Sequence, residues 1–502
     1  MPTILCFWLI AIAVFLVCGR GHKPRKLPPG PSPLPILGNL FQLGREKLYH
    51  KAVTKLSKVY GPLMSVKLGN QMIVVVSSPN LVREICQKYD HTFYRRLDLD
   101  ASRALDHHKF SIAWIPTGKK WNDIRRLFKE QIFSSERLNA SQGIRQEKVK
   151  QLCDYAHEHS ISGQPLNVCA AAFTTSLNFL SNTLFSIDFA HYDSNSCKNL
   201  EEIICGLTNT MGRPNLADFF PGLKFFDPQG IRHETEVYFV KLLEAFEDII
   251  TQRLQARGAS PTSGSGKSDL LEVFLDLCQH REAGWSYNDV KHFLLDLFLG
   301  ATDTTSSTVE WAMVELLRSP DKKEKARAEI REVIGQGRSV KESDISRLPY
   351  LQAVVKETLR LHPPAPIVPR KADTDIEVDS YILPKDSLIV FNLWGMGRDS
   401  NLWLNPDSFV PERFLNSESD DKGQHFKLTP FGTGRRICVG YALAQRMLHL
   451  MLASLLHNFD WKLEDGIKPE DVDMSERPGL TVQKAVPLMA IPIRTSIWKS
   501  LK

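Results

Sequence analysis

Ten residues near the carboxyl end, Phe431-Gly-Thr-Gly-Arg-Arg-Ile-Cys438-Val-Gly440, combine three glycines, two arginines and one cysteine. Three glycines in so short a run imply unusual backbone dihedrals and close approach to something flat or bulky. Cys438 lies just ahead of an apolar helical pattern. Helix N-terminal amides and the neighbouring Arg435 and Arg436 would therefore stabilise its thiolate. A thiolate held by backbone N–H groups suits an electron-donating axial ligand of haem iron. A free cysteine in a glycine-rich turn is the alternative that spacing alone leaves open.

Gly300-Ala301-Thr302-Asp303-Thr304-Thr305 is the second constellation. Glycine and β-branched threonine are poor helix formers. Threonine hydroxyls also compete for the i−4 carbonyl. A local widening is expected here, with room for a ligand or water. Asp303 beside Thr304 sets an acid next to an alcohol, the pairing a proton relay needs. Reductive cleavage of dioxygen consumes two protons. A solvent-facing polar patch is the alternative, and the apolar flanks Phe293-Leu294-Leu295 and Leu297-Phe298-Leu299 argue against it. Glu357 and Arg360 are three apart and share a helix face. Arg413, in Pro411-Glu412-Arg413-Phe414, would extend them to a triad. An exposed pair is worth under about 1 kcal/mol. A buried triad would instead fix geometry, and losing one member would cost roughly 3–5 kcal/mol.

These residues need a scaffold, and the periodicity is mostly helical from about Asn80 to Ala256. Ser286 to Arg318 reads as one long helix opened by a Ser286–Asp289 capping box. It would run about 50 Å, enough to cross the molecule. Tyr350 to Leu361 reads as a helix stopped by Pro363-Pro364, and Tyr441 to His457 as a final one. Leu448, Met451, Leu452 and Leu455 share its core-facing side. Leu63–Leu68 and Met72–Ser77 around Gly69-Asn70 read as a hairpin. Ile376 to Leu383 and Ser387 to Asn392 read as short strands. Arg257 to Ser268 has the composition of a solvated linker. Its GSGKS is not a phosphate loop, because Pro261 stands where that motif needs glycine. His107-His108 reads as a pair of surface polar residues, for want of a third metal ligand.

The chain has 502 residues, 43% hydrophobic and 24% charged. That balance permits a large core and excludes global disorder. A net charge of +6, without basic blocks interleaved with aromatics, argues against nucleic acid as a partner. Nine cysteines with no CxxC pair argue against a disulfide framework and a four-sulfur zinc site. They fit a reducing compartment. Ile4 to Cys18 is an uncharged apolar run, followed by Arg20, His22, Lys23, Arg25 and Lys26. Residues 1–20 are read as a single-pass anchor. A helix over Pro2–Gly19 would reach about 27 Å, matching the endoplasmic reticulum bilayer. Basic residues after the run place the bulk of the chain in the cytosol. Residues 21–39 are basic and proline-rich, a stiff hinge. Residues 40–502 form the body.

The cysteine loop, the E-x-x-R pair and the acid–alcohol pair, in this order, resemble the cytochrome P-450 superfamily. The resemblance covers nearly the whole chain, and F-x-x-G-x-R-x-C-x-G is highly specific. It implies a mostly α fold: a large helical domain and a small β-sheet domain around a buried haem b. It implies a monomeric monooxygenase acting on a small lipophilic substrate, with electrons from NADPH through a membrane-bound reductase. It gives Cys438 as the axial ligand, and Asp303 and Thr304 as the oxygen-activating pair. Glu357, Arg360 and Arg413 match the structural triad. Trp121 and Arg125 match the W-x-x-x-R pattern that holds a haem propionate. Arg96, Arg370 and Arg436 occupy propionate positions, and Phe431 opens the cofactor loop. The expected pocket wall is Trp114, Ile115, Phe298, Ala301, Thr305, Ile367, Val368, Leu480 and Thr481. Three positions depart from the usual pattern: Val439 for proline, Ala301 for glycine, and Tyr94-Arg95 for a small pair. The phrases NLADFF (Asn215–Phe220), FDPQGIRH (Phe226–His233) and EWAM (Glu310–Met313) are similar to a plant branch with geraniol hydroxylases and ferruginol synthase. Terpenoid hydroxylation is the substrate class this implies. Alkaloid or phenolic oxidation, and a non-oxygenating haem-thiolate isomerase or dehydratase, are the alternatives.

Overall fold

The computed structural model describes residues 26–93, 95–192, 194–259, 269–279, 284–335, 337–415 and 426–494. The anchor assigned to residues 1–20, the start of the hinge, most of the 257–268 linker and Tyr94 lie outside the described residues. Among the described residues, no helix is long and apolar enough to cross a membrane.

Helices dominate. Those that shape the interior are α1 (Lys119–Gln131), α2 (Val168–Phe185), α3 (Asn195–Gly212) and α4 (Ile231–Ala259). They are joined by α5 (Tyr287–Ala301), α6 (Asp303–Arg318), α7 (Pro349–Leu361) and α8 (Tyr441–Asn458). Every residue of α6 from Thr305 to Leu317 is buried. A helix buried all round is a central one, and α2, α7 and α8 pack around it. Its polar side chains are satisfied inside the protein. Glu310 accepts from the Leu488 N–H at 2.7 Å, and Glu315 lies 2.7 Å from His362 Nε2. Leu448, Met451, Leu452 and Leu455 on α8 are all buried.

The predicted single helix from Ser286 to Arg318 is two helices. The Ser286–Asp289 capping box opens α5, but the run stops at Ala301 and resumes at Asp303. The Thr302 N–H reaches Phe298 O only at 3.4 Å. Threonine hydroxyls take over the strained carbonyls. Thr302 Oγ1 donates to Phe298 O at 2.7 Å, and Thr304 Oγ1 to Gly300 O at 2.8 Å. Side-chain competition for the i−4 carbonyl is what bends the helix here.

A four-stranded sheet forms the smaller layer: β1 (Leu63–Leu68), β2 (Gln71–Val76), β3 (Ile367–Lys371) and β4 (Leu388–Asn392), in the order β1-β2-β4-β3. The β1–β2 hairpin turns at Gly69-Asn70, with Leu63 opposite Val76. β2 runs parallel to β4, which is buried at every position. Pro369 lies in β3 at the sheet edge, where a missing N–H is tolerated. The predicted strand from Ile376 to Leu383 is two short strands, Ile376–Val378 and Tyr381–Leu383. They fold back through Asp379 and Ser380, at φ 48° and 64°.

The described part of the hinge is docked rather than free. Ser65 donates from its N–H to Pro29 O at 2.8 Å and from its Oγ to Pro28 O at 2.7 Å. A Cβ on Gly30 would overlap the Ser65 carbonyl. Only glycine lets the hinge lie this close to β1.

Glu357, Arg360 and Arg413 come together. Arg360 Nε and Nη2 donate to the Glu357 carboxylate at 2.7 and 2.8 Å, and Arg413 Nε at 3.0 Å. Glu357 and Arg360 have no exposed side-chain surface. Arg360 also reaches the carbonyls of Pro406 and Ser408, at 2.7 and 3.1 Å. The cluster ties α7 to the loop that leads toward the cysteine segment. Glu357→Gln leaves Arg360 buried without its counter-charge and should cost roughly 3–5 kcal/mol of stability. A urea denaturation curve with an unchanged midpoint would contradict the structural role.

Candidate active site

Cys438 is held by its own loop before anything else touches it. The Cys438 N–H donates to Phe431 O at 2.9 Å, and Ile437 N–H to Gly434 O at 3.1 Å. Gly434 has φ +68°, and a Cβ there would strike the Asp90 carboxylate. That carboxylate accepts from the Arg435 N–H at 3.2 Å and Nε at 3.1 Å. Cys438 has accessible surface, but it lines the interior cavity, and protein packs around its other sides. Burial pushes the thiol pKa up. The N–H groups of Gly440 and Tyr441, at the start of α8, and the Arg125 guanidinium pull it back down. Helix-end amides and a cation are the usual means of stabilising a thiolate.

Trp121 and Arg125, on α1, stand behind this loop rather than in the cavity wall. Trp121 Nε1 donates to Ile112 O at 3.2 Å, and Arg125 Nη2 to Ile437 O at 2.8 Å. The Trp121 ring lies 5.3 Å from the Arg125 guanidinium and 5.2 Å from that of Arg436. Two cations thus flank one indole, a favourable placement for each.

Arg96, Arg370 and Arg436 line the cavity together. Arg96 makes one long bond, Nη1 to Pro369 O at 3.5 Å, and its buried Nε has no hydrogen-bond partner. Arg370 donates to Thr433 O at 3.2 Å and leaves Nη1 without one. Arg436 donates to Ile115 O at 2.6 Å. Burial lowers all three pKa values, that of Arg436 to about 10. For Arg96 and Arg436, repulsion from the other guanidiniums lowers it further. Converging buried cations of this kind call for an anion. The two propionates of a haem supply two carboxylates, which guanidinium groups bind well. A thiol on one side and cations at the edge fit that group.

The cavity has a volume of about 470 Å³. Of the predicted wall, Trp114, Ala301, Thr305, Ile367, Val368, Leu480 and Thr481 line it, as do Phe431 and Thr304. Ile115 and Phe298 do not. Ile115 is buried in the core, where its carbonyl receives Arg436. Phe298 points to the other side of α5. It stacks on Phe189 at 5.4 Å and packs against Phe246 at 5.3 Å. Residues 296, 300 and 304 face the cavity, and 298 lies about halfway round the helix from that stripe.

Asp303 also turns away from the cavity wall. It is buried completely and accepts from Thr208 Oγ1 at 3.0 Å, from Cys205 Sγ at 3.6 Å and from Gln483 Nε2. The Thr481 side chain lies close enough to lower its pKa. Burial pushes its carboxyl pKa up, and these bonds pull it down. Thr208 and Thr481 themselves line the cavity. The acid therefore stands one hydroxyl behind the wall, while Thr304 stands in it.

His107 corrects the surface assignment of the histidine pair: it is 1% exposed. Positive φ at Leu105 and Asp106, 48° and 57°, turns the chain inward just before it. His107 and Asp296 both line the cavity. Asp296 could have been found from sequence, since it lies one i+4 step before Gly300. Thr208 and Met211, contributed by α3, carry no local signal of their place in the wall.

The sequence profile of the cytochrome P-450 family matches residues 28–489. Among known proteins, the chain is 51% identical to cytochrome P-450 76T24 of Catharanthus roseus over 496 residues, 98% of this chain and 99% of that one. It is 48% identical to carnosic acid synthase of Rosmarinus officinalis over 481 residues, 95% of each chain. It is 44% identical to ferruginol synthase of Isodon rubescens over 495 residues, 98% of this chain and 99% of that one. A thiol-bearing loop facing a broken helix across a cation-edged cavity, and likeness along almost the whole length, agree: the chain belongs to the cytochrome P-450 family, an oxidoreductase of the monooxygenase type.

Proposed function

We propose that this monooxygenase hydroxylates a small lipophilic plant terpenoid, a mono- or diterpene. Dioxygen and two electrons from NADPH, delivered by a membrane-bound reductase, are consumed. One oxygen atom enters the substrate and the other leaves as water with two protons. The enzyme works as a monomer, tethered to the endoplasmic reticulum by residues 1–20 with the body in the cytosol. The observation that carries the reading is Cys438 and Thr304 lining one cavity from the thiol loop and the broken helix. The terpenoid assignment draws support from the apolar wall of Trp114, Ile367, Val368 and Leu480 and from relatives named ferruginol synthase and carnosic acid synthase. Apolar walls with few placed polar groups suit such ligands.

Haem b, when bound, supplies the redox chemistry of dioxygen. The rest falls to side chains. Cys438 would hold the iron, and Arg96, Arg370 and Arg436 the propionates. Thr304 Oγ1 donates a hydrogen bond to Gly300 O at 2.8 Å, so the oxygen lone pairs remain free to accept from a water in the cavity. Asp303, its pKa raised by burial, is suited to keep a proton. That proton reaches the cavity through the hydroxyl of Thr208. Asp303 and Thr304 then serve as two separate stations rather than one adjoining pair.

Cys438→Ala should abolish the mercaptide-type Soret band of the reduced carbon-monoxide complex, and a retained band would refute the ligand. Thr304→Ala should keep that band yet lower product formed per NADPH consumed; undiminished coupling would remove Thr304 from the relay. Arg96→Met discards a buried charge that has little company. It should make the haem-free protein more stable and weaken haem retention about ten- to a hundredfold, the worth of one charge-assisted bond. Equal haem loss from wild type and variant would show that Arg96 holds no propionate.

A further inference from the structure

Asp303 is buried completely, so a proton it gives up has to be replaced from elsewhere. Thr208 Oγ1, 3.0 Å away, leads into the cavity, where protons are consumed. The return must therefore come from another side. Asp303 is faced there by Cys205 on α3, by Cys169 on α2, and by Gln483 and Arg477 on the hairpin in which Glu476–Arg477 pairs with Gln483–Lys484.

These neighbours are poor proton carriers. The Gln483 amide donates to Asp303 from Nε2 and accepts from Arg477 at its oxygen. An amide keeps its protons, and a guanidinium does not give one up. Cys205 Sγ lies 3.6 Å from the carboxylate, but burial and nearby acids push its thiol, and that of Cys169, well above the ordinary range. Glu310, two turns along α6, and Lys484 near it are 1% and 4% exposed, away from bulk water.

Glu201 differs from all of them. It stands one turn before Cys205 and two before Thr208, the i, i+4, i+7 spacing of a single face of α3. That face is the one turned to Asp303. Glu201 is half-buried, with solvent on one side. Among the described residues no hydrogen bond or ion pair holds its carboxylate. Burial and the Asp303 charge push its pKa up, while the exposed Arg477 pulls it down. A carboxyl raised in this way takes a proton more readily than a surface acid does.

We propose that Glu201 is the entry through which Asp303 is reloaded with protons from bulk water. The O–H bond of Glu201 breaks as that of Asp303 forms, by way of water at the α3 face. A solvent proton then restores Glu201. The net change is one proton moved from solvent to Asp303 for each one sent on to the cavity. The role rests on the monooxygenase reading above, in which Asp303 is a proton station.

The first test needs no turnover. Haem-loaded protein is mixed rapidly into deuterium oxide, and infrared spectroscopy follows the carboxylic C=O stretch that Asp303→Asn removes. Its hydrogen–deuterium exchange should slow about a hundredfold in Glu201→Gln, the low end of what one placed acid–base group contributes. Glu201→Asp keeps a carboxyl and should stay close to wild type, as should Glu202→Gln at the exposed neighbour. Unchanged exchange in Glu201→Gln overturns the entry. Equal slowing in Glu202→Gln marks a general effect on α3 and overturns it too, as does the lack of any such band, since Asp303 would then hold no proton. The second test is the pH dependence of product formed per NADPH, with reductase and geraniol. Wild-type coupling should fall as pH rises through the titration of Glu201, where the entry loses its proton. Glu201→Gln should be poorly coupled throughout and lack that limb; a profile that follows wild type removes the entry from the reaction. Slowed exchange in Glu201→Gln with no product from wild type would sink the monooxygenase reading and leave the entry standing. Product with unchanged exchange would do the reverse.

Discussion

Positive charge gathered at one edge of an enclosed cavity is the constraint around which this protein is arranged. Arg96, Arg370 and Arg436 meet at one edge of the cavity, and burial depresses each of them. Arg125 adds a fourth guanidinium behind the thiol loop. Each is fastened by a backbone carbonyl, of Pro369, Thr433, Ile115 or Ile437. Carbonyl dipoles hold a guanidinium in place but do not neutralise it. A dianionic cofactor does, so its binding energy enters directly into the stability of the fold. Elsewhere the chain pairs its buried charges internally, as at Glu357, Arg360 and Arg413. The contrast separates charge that braces the fold from charge that awaits a ligand.

The gap between α5 and α6 has the next largest effect. A continuous helix would keep neighbouring side chains about 100° apart on one regular surface. Asp303 is buried toward α3 and the Gln483 segment, while Thr304, about 100° further round the same surface, opens to the cavity. Residues adjacent in the chain are thus sorted to different surroundings. The threonine cluster supplies both the disturbance and its remedy, since hydroxyls of Thr302 and Thr304 satisfy the carbonyls that the gap loosens.

Local chemistry in the sequence foretold much of this. Glycine spacing and flanking arginines marked the thiol loop, and the capping box marked the start of α5. Poor helix formers from Gly300 to Thr305 announced a widening, although the full interruption at Thr302 exceeded it. The remainder depends on distant segments. His107 is buried because two residues before it take positive φ, which no pattern announced. Likeness alone puts Phe298 in the pocket, whereas helical geometry sends it into an aromatic cluster with Phe185, Phe189 and Phe246. Thr208 and Gln483 became partners of Asp303 only through the packing of α3 and the carboxyl-terminal segment on α6.

The bonds between Ser65 and the carbonyls of Pro28 and Pro29 also determine a direction. Because the strap at residues 28–30 is bonded along β1 at the edge of the sheet, the polypeptide departs from the sheet along a single bearing. Prolines stiffen that departure. Whatever pulls on the amino-terminal end therefore acts through a short rigid lever on the β-sheet itself. Torque, and not just tension, is transmitted, so the tilt of the whole body is inherited from residues 28–30.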